Sequence, residues 1–332
     1  MKFIDMHCDT LMYALEGLYS TSGGVTDLLD MPGTMLDIKR MKESGASAEL
    51  FAIFFPRKTN GFIEAGGQKL TDKQHFDLLY QCYKQTMKLG ADHIAEAFNV
   101  DDIVANEKAG KMSGILTFED GRIIDGKLEN LKYYYDKGVR LISILWNEEN
   151  CFGHPNSMDE SIMKKGLKPF GKEAIEYMND LGMMIDVSHL SDGGFWDVAK
   201  LSKKPFVATH SNCRALSPHP RNLTDEMIRK MAERGGVSGI NIAPQFLNSD
   251  ITVKDSTVDL MSLHIRHMIQ VAGEDFPALG SDFDGTSGNL EVDCITKMGL
   301  IFDQLKKDGV SERVIEKVAY GNAFRVMKEV MK

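Results

Sequence analysis

No stretch of this chain approaches 18 uninterrupted apolar residues, which excludes an ordinary membrane-spanning helix. The start carries neither a charged leader nor a long apolar segment, so it does not read as a secretory signal. Cysteines are few: five, odd in number and scattered (Cys8, Cys82, Cys151, Cys213, Cys294), with no Cys-x-x-Cys pair. That excludes a disulfide framework and predicts a reducing, cytoplasmic compartment. Positive charge is short as well, with 39 Lys and Arg against 48 Asp and Glu and a net charge of −9. Such a balance speaks against a nucleic-acid surface. No linker-like or low-complexity segment interrupts the 332 residues, so 1–332 reads as a single domain. What is present is ordinary globular material, 43% hydrophobic and 26% charged, with 20 dispersed methionines suited to gap-filling in a core.

Apolar runs bounded by Gly, Pro or charge mark eight strands: Phe3–Asp9, Ala48–Phe55, Ser113–Phe118, Arg140–Trp146, Met183–His189, Phe206–His210, Val237–Ile242 and Ala278–Phe283. Most are continuous rather than alternating, as strands covered on both faces should be. Amphipathic helical patterns separate most of them, over Thr71–Leu89, Pro169–Leu181, Thr224–Arg234 and Ser256–Ala272, the first opening on the capping box Thr71-Asp72-Lys73-Gln74. Repeated strand–helix alternation predicts a parallel sheet, and eight repeats predict an α/β fold closed as a (β/α)8 TIM-type barrel. The alternative, a doubly wound open sheet, calls for a glycine-rich phosphate turn after the first strand. His7-Cys8-Asp9-Thr10 stands there instead.

Barrel enzymes keep their chemistry at the C-terminal ends of the strands. Here five such ends carry metal-ligand residue types: His7 and Asp9, Glu119, His189, His210, and Asp282. Any one of them reads equally well as a cap or a turn residue; their joint position on one rim predicts a metal site. The inventory exceeds a single tetrahedral site and suits a pair of ions sharing a carboxylate. The expected assignment gives His7 and Asp9 to one ion, His189 and His210 to the other, and Glu119 to both. Asp282 is then the catalytic residue, free to touch the first ion and to handle a proton. A mixed His and carboxylate set suits two Zn2+, with manganese and iron as alternatives. Strict strand alternation would put Asp5 on the face of His7 and Asp9, where Asp5 and Asp186 orient imidazoles, and would turn Cys8 away.

These segments resemble the membrane (renal) dipeptidase family of binuclear zinc metallopeptidases, among the amidohydrolase barrels. The likeness runs in order through Asp5-Met6-His7-Cys8-Asp9, Glu119-Asp120-Gly121, Ile185-Asp186-Val187-Ser188-His189-Leu190-Ser191, Thr209-His210-Ser211-Asn212, Arg221-Asn222, Gly280-Ser281-Asp282-Phe283-Asp284-Gly285 and Gly321-Asn322-Ala323-Phe324-Arg325-Val326. The resemblance implies that Glu119 bridges two zinc ions and that Arg221 binds the substrate carboxylate or the developing oxyanion. Animal members carry a substrate-facing His after the fourth strand, where this chain reads Ile144-Leu145-Trp146-Asn147, like many bacterial relatives. That makes Trp146 a substrate contact and His154, in the following loop, a candidate replacement. Without the secretory signal and lipid-anchor tail of animal members, the chain is expected to be of the cytoplasmic bacterial type.

The function that follows is zinc-dependent hydrolysis of small dipeptides by a metal-activated water, with no nucleic-acid or membrane partner and with a homodimer as a compatible assembly. One rival is amide, lactone or ester hydrolysis on the same barrel. Many such relatives bridge their metals with a modified Lys on strand four, where Trp146 stands here. A second rival is metal binding without turnover, which needs neither Asp282 nor Arg221. His264 and His267 are expected to be structural, and His75, His93 and His219 to be surface or cap residues. Asp284 shares the strand parity of Asp282, but Gly285 after it marks a turn.

Overall fold

In the computed structural model, which describes residues 1–13, 27–65 and 67–332, eight parallel strands close into a barrel. They are β1 (Phe3–Cys8), β2 (Ala46–Phe54), β3 (Met112–Glu119), β4 (Val139–Ser143), β5 (Met184–Asp186), β6 (Val207–Ala208), β7 (Val237–Ile240) and β8 (Pro277–Leu279). Each pairs with its neighbours in sequence order, and β8 returns to β1 to complete the circle. Closure of the eight strands leaves none of them with an unpaired edge.

The expected helices are present. Thr71 caps the helix Asp72–Leu89 through a reciprocal capping box with Gln74. Pro169 begins the helix Pro169–Leu181, and Gly182, at φ 80°, ends it in the left-handed conformation that glycine adopts without cost. Among the short strands that escaped the sequence reading are three of three residues each. Ile94–Glu96 adds a ninth strand beside the start of β3, and Ile63–Ala65 pairs with Gln68–Leu70 in a small hairpin. Each spans three residues, too few for a period to register.

Ile4, Met6, Ala48, Leu50, Ile115, Leu141, Met184, Val207, Val237 and Ala278 form one buried cluster with a contribution from every strand, which is the barrel interior. Ala323, Val326 and Met327 of the helix Asn322–Val330 pack into the same cluster. This apolar plug fills the N-terminal part of the barrel and leaves the C-terminal rim to polar side chains. The outer shell between strands and helices forms the larger apolar cluster.

Candidate metal centre and active site

The first strand departs from strict alternation. Its pairing with β2 runs Asp5↔Glu49 and then Cys8↔Phe51, so three steps along β1 match two along β2. This is a bulge. Glu49 lies level with Gly114, where a Cβ would meet Met87 and Tyr83 of the helix Asp72–Leu89, so the row containing Asp5 faces the helices. The expectation that Asp5 shares a face with His7 and Asp9 is therefore corrected. Asp5 accepts from the Ser281 amide at 2.8 Å, and His7 Nδ1 has no hydrogen-bond partner among the described residues. Asp5 thus secures the loop that carries Asp282 rather than orienting an imidazole. Cys8 is buried on the outer side, its thiol pushed up by burial.

Beyond the bulge, His7 and Asp9 join the residues from the other strand ends. His7 Nε2 lies 3.7 Å from Asp9, 3.5 Å from Glu119 and 4.0 Å from Asp282. Glu119 also reaches His189 Nε2 at 2.8 Å and His210 Nε2 at 3.6 Å. All six side chains are buried. Their donor atoms make three groups compatible with an ion: His7–Asp9–Glu119, Glu119–His189–His210 and His7–His210–Asp282. Glu119 belongs to two of them, the place expected of a shared carboxylate.

Hydrogen bonding at the outer ring nitrogens fixes the tautomers. His210 Nδ1 lies 2.7 Å from Thr209 Oγ1, which itself donates to Asp186 at 2.6 Å. Thr209 must therefore accept from His210 Nδ1–H, which leaves Nε2 with a lone pair. Asp186 thus acts on His210 through Thr209. His189 Nδ1 lies 3.0 Å from the amide oxygen of Asn147, leaving its Nε2 in the same state. Those two Nε2 atoms stand 3.1 Å apart, with the Glu119 carboxylate beside them. Three electron-rich atoms converging in a buried place repel one another unless a cation lies among them.

Burial first, then the Asp9 charge, pushes Glu119 up to about 8, and burial likewise raises Asp282 to about 7. Burial together with nearby Arg221 holds His189 well below its ordinary value, and burial with His7 does the same for His210. His7 goes the other way: burial lowers it, but Glu119 and Asp9 outweigh burial and raise it. His189 and His210 are thus neutral, as ligands to a divalent ion must be, whereas the raised values of Glu119 and His7 mean that they would give up a proton when an ion binds. His7 Nε2 and Asp9 Oδ1 are buried without any hydrogen bond among the described residues, a further sign that this donor set fits a metal.

Asp282 follows β8 on a loop that keeps pairing with β1, its amide donating to the His7 carbonyl at 3.1 Å. Asn241, at the end of β7, donates to Asp282 Oδ2 at 2.9 Å. A side chain at Gly285 would run into Asp9 and Asp282, so only glycine lets the chain pass so near both carboxylates. His189 (φ 68°), Asp282 (φ 64°) and Asp284 (φ 68°) all adopt the left-handed conformation. Such residues cost about 1–3 kcal/mol each and gather at functional sites. Asp284 is occupied, accepting from Thr10 Oγ1 at 2.6 Å and from the Met35 amide at 2.7 Å.

A cavity of about 540 Å³ opens over this centre, lined by Asp9, Glu119, His189, Arg221, Asp282 and Trp146 among others. The Trp146 ring meets Phe54 edge-on at 4.8 Å. Arg221 is buried, bonded to Ser211 Oγ at 3.1 Å, with its Nε unpartnered among the described residues. His154 is not among the lining residues and pairs with Glu149 at 3.0 Å. Sequence reasoning missed Asn241, Asn147, Phe54 and Phe246. The one signal available was Asn241, a polar residue inside the apolar run Val237–Ile242. His75 is also corrected: it is buried, and Nε2 bonds the Phe54 carbonyl at 2.7 Å, because it lies on the same helix stripe as Phe76, Leu79 and Tyr83. His264 is structural, bonded to the Leu247 carbonyl and the Cys213 amide.

The membrane dipeptidase family, peptidase family M19, matches residues 1–332. The chain belongs to that family. A protein of Klebsiella pneumoniae described only by its place in the pqqA 5' region is 35% identical over 265 residues, covering 76% of this chain and 96% of its own. Among solved structures, dipeptidase AC, a metallopeptidase of family M19, is 26% identical with a TM-score of 0.86 over 100% of this chain and 99% of that one. A Rhodobacter sphaeroides metallopeptidase, solved with a phosphinate mimic of the dipeptide L-Ala-D-Ala, is 25% identical with a TM-score of 0.85 over 99% of each chain. Family membership makes this chain a metal-dependent dipeptidase on a TIM barrel. Among the described residues, no helix is long and apolar enough to cross a membrane.

Proposed function

We propose that the rim holds two divalent ions, zinc by the chemistry of the donors, one bound by His7 and Asp9, the other by His189 and His210, with Glu119 shared. The observation that carries this reading is Glu119, common to two buried ligand triads at the mouth of a closed barrel. Bound there, the ions supply Lewis acidity and lower the pKa of water towards neutrality.

The chain's own groups do the rest. Asp282 takes the proton of the attacking water and delivers it to the leaving amine; Asn241 holds one of its oxygens and leaves the other facing His7. Arg221, which lines the cavity, offers its guanidinium to the substrate carboxylate, a partner that such a fork suits. Trp146, Phe54 and Phe246 wall the cavity and exclude water, and its volume of about 540 Å³ fits a dipeptide rather than a folded protein. His154, bonded to Glu149 and absent from the cavity wall, is not part of this reading. The five free cysteines, three of them buried, suit a reducing compartment.

The test is metal analysis of purified protein together with release of free amine across a dipeptide panel. The panel includes pairs with a D residue at the C-terminal position, like the mimic bound to the Rhodobacter relative. About two ions per chain and turnover of at least one dipeptide are expected. A zinc-replete protein that holds no metal would end the reading.

A further inference from the structure

Strand four leads into the cavity through Trp146 and Asn147, and both line its wall. The two ends of the Asn147 amide have different surroundings. Its Oδ1 lies 3.0 Å from His189 Nδ1. His189 Nε2 faces Glu119 at 2.8 Å and His210 Nε2 at 3.1 Å, so it is the ligand nitrogen and the proton belongs on Nδ1. Nδ1–H then donates to Asn147, which fixes which end of the amide is oxygen. The Nδ2 end makes no hydrogen bond among the described residues and belongs to an exposed side chain on the cavity wall.

We propose that Asn147 serves both partners in the reaction: its amide oxygen positions His189 for the metal, and its amide N–H2 donates to a backbone oxygen of the dipeptide. This rests on the dipeptidase reading above. An acceptor at His189 Nδ1 orients the ring and fixes its tautomer, as hydrogen-bond partners behind metal-binding imidazoles do. One amide then couples the metal site to the substrate contact. A side chain with only one of those functions, an acceptor or a donor, could not do both. Asn147 is thus a positioning residue towards the metal and a binding residue towards the substrate.

Two variants separate the functions. Asn147→Asp keeps an acceptor for His189 Nδ1–H and loses the donor; Asn147→Leu loses both at similar volume. Each is measured for zinc affinity, for the visible spectrum of the cobalt-loaded protein, for the His189 Nδ1–H signal by 15N NMR, and for dipeptide kinetics. Asn147→Leu should weaken metal binding by roughly 10–100-fold and alter both spectra. Asn147→Asp should keep the metal affinity and the Nδ1–H signal while kcat/KM falls about 10-fold or more, chiefly through KM. That fall should persist at high salt, which would relieve simple charge repulsion. Wild-type zinc affinity and an unchanged cobalt spectrum in Asn147→Leu would overturn the positioning role. Wild-type kcat/KM in Asn147→Asp, or a loss that salt restores, would overturn the donor role. If the metal-loaded wild type cleaves no dipeptide, the dipeptidase reading itself fails, and the zinc, cobalt and NMR measurements still judge Asn147.

Discussion

Replacing Asp282 by Asn separates a hydrolase from a metal-binding protein. The substitution is nearly isosteric, and an amide oxygen can still accept from Asn241, which now lies 2.9 Å from Asp282 Oδ2. It also removes a buried carboxyl whose pKa burial has raised to about 7, so the fold should be no less stable. Two of the three ligand triads, His7–Asp9–Glu119 and Glu119–His189–His210, do not contain Asp282, so most of the metal should remain. What disappears is the carboxylate at this corner that the proposed ligand set leaves free to accept and return a proton. Loss of a general acid–base costs roughly 10²–10⁴-fold in turnover, about 2.7–5.5 kcal/mol of barrier. Asp284→Asn is the control. Both Asp284 oxygens accept from protein donors, Thr10 Oγ1 and the Met35 amide; an Asn can keep its oxygen on the Met35 amide and turn its N–H2 to Thr10, whose hydroxyl then accepts. That change should cost about 1 kcal/mol of stability or less, with turnover retained. The assay is amine release under saturating zinc and dipeptide, with thermal melts of both proteins. Turnover lost in Asp284→Asn and kept in Asp282→Asn would refute the assignment.

Two further outcomes follow from the buried charge. Glu119→Gln should lose at least one of the two ions by metal analysis, more than any single His→Ala change outside Glu119 does, because a neutral amide does not serve two cations; a variant that keeps both ions and normal turnover refutes the shared carboxylate. The metal-free protein should lose stability as pH rises above neutrality. Asp282 and Glu119 have native-state values near 7 and 8, above their ordinary 3.8 and 4.5, so these two groups bind more protons in the native state than in the unfolded chain between about pH 4 and 8, while the depressed His189 and His210 oppose them only below about pH 6.5. Their contribution is therefore full below that window and lost across it. Calorimetry should show Tm of the metal-free protein falling from pH 7 to 8 and zinc restoring more at the upper end; a Tm that rises over that range in the metal-free protein contradicts the charge arrangement.

The barrel was legible because its strands are covered on both faces, so that burial writes continuous apolar runs such as Ser113–Phe118 into the sequence. Strand ends were overstated because the polar residues that close each run were read as strand. The runs Met183–His189, Phe206–His210 and Ala278–Phe283 carry on through Ser188-His189, Thr209-His210 and Ser281-Asp282, but the ladder stops at Asp186, Ala208 and Leu279. There the chain turns, through a left-handed residue in two of the three cases, to aim His189 and Asp282 at the rim. The ligands themselves were legible because few other chemistries gather His, Asp and Glu at successive strand ends. Asn147 and Asn241 were not, since an amide serving a histidine or a carboxylate has the same appearance in sequence as a turn residue.

The bulge in β1 shows why alternation failed where function is densest. An unbroken strand would turn Asp5, His7 and Asp9 to one face and bring three carboxyl or imidazole groups, spaced two residues apart, into the barrel. The lowest of them would then lie in the layer of Ile4, Met6, Ala48 and Leu50, where no cation balances it. One extra residue between Asp5 and Cys8 resolves this. Met6 stays in the apolar plug, His7 and Asp9 reach the polar rim, and Asp5 passes to the outer side, where the Ser281 amide satisfies one of its oxygens. Ser281 immediately precedes Asp282, so the residue expelled from the metal face holds in place the loop that carries the proton acceptor. The local break in pattern thus supplies ligands to one side of the strand and support for Asp282 to the other.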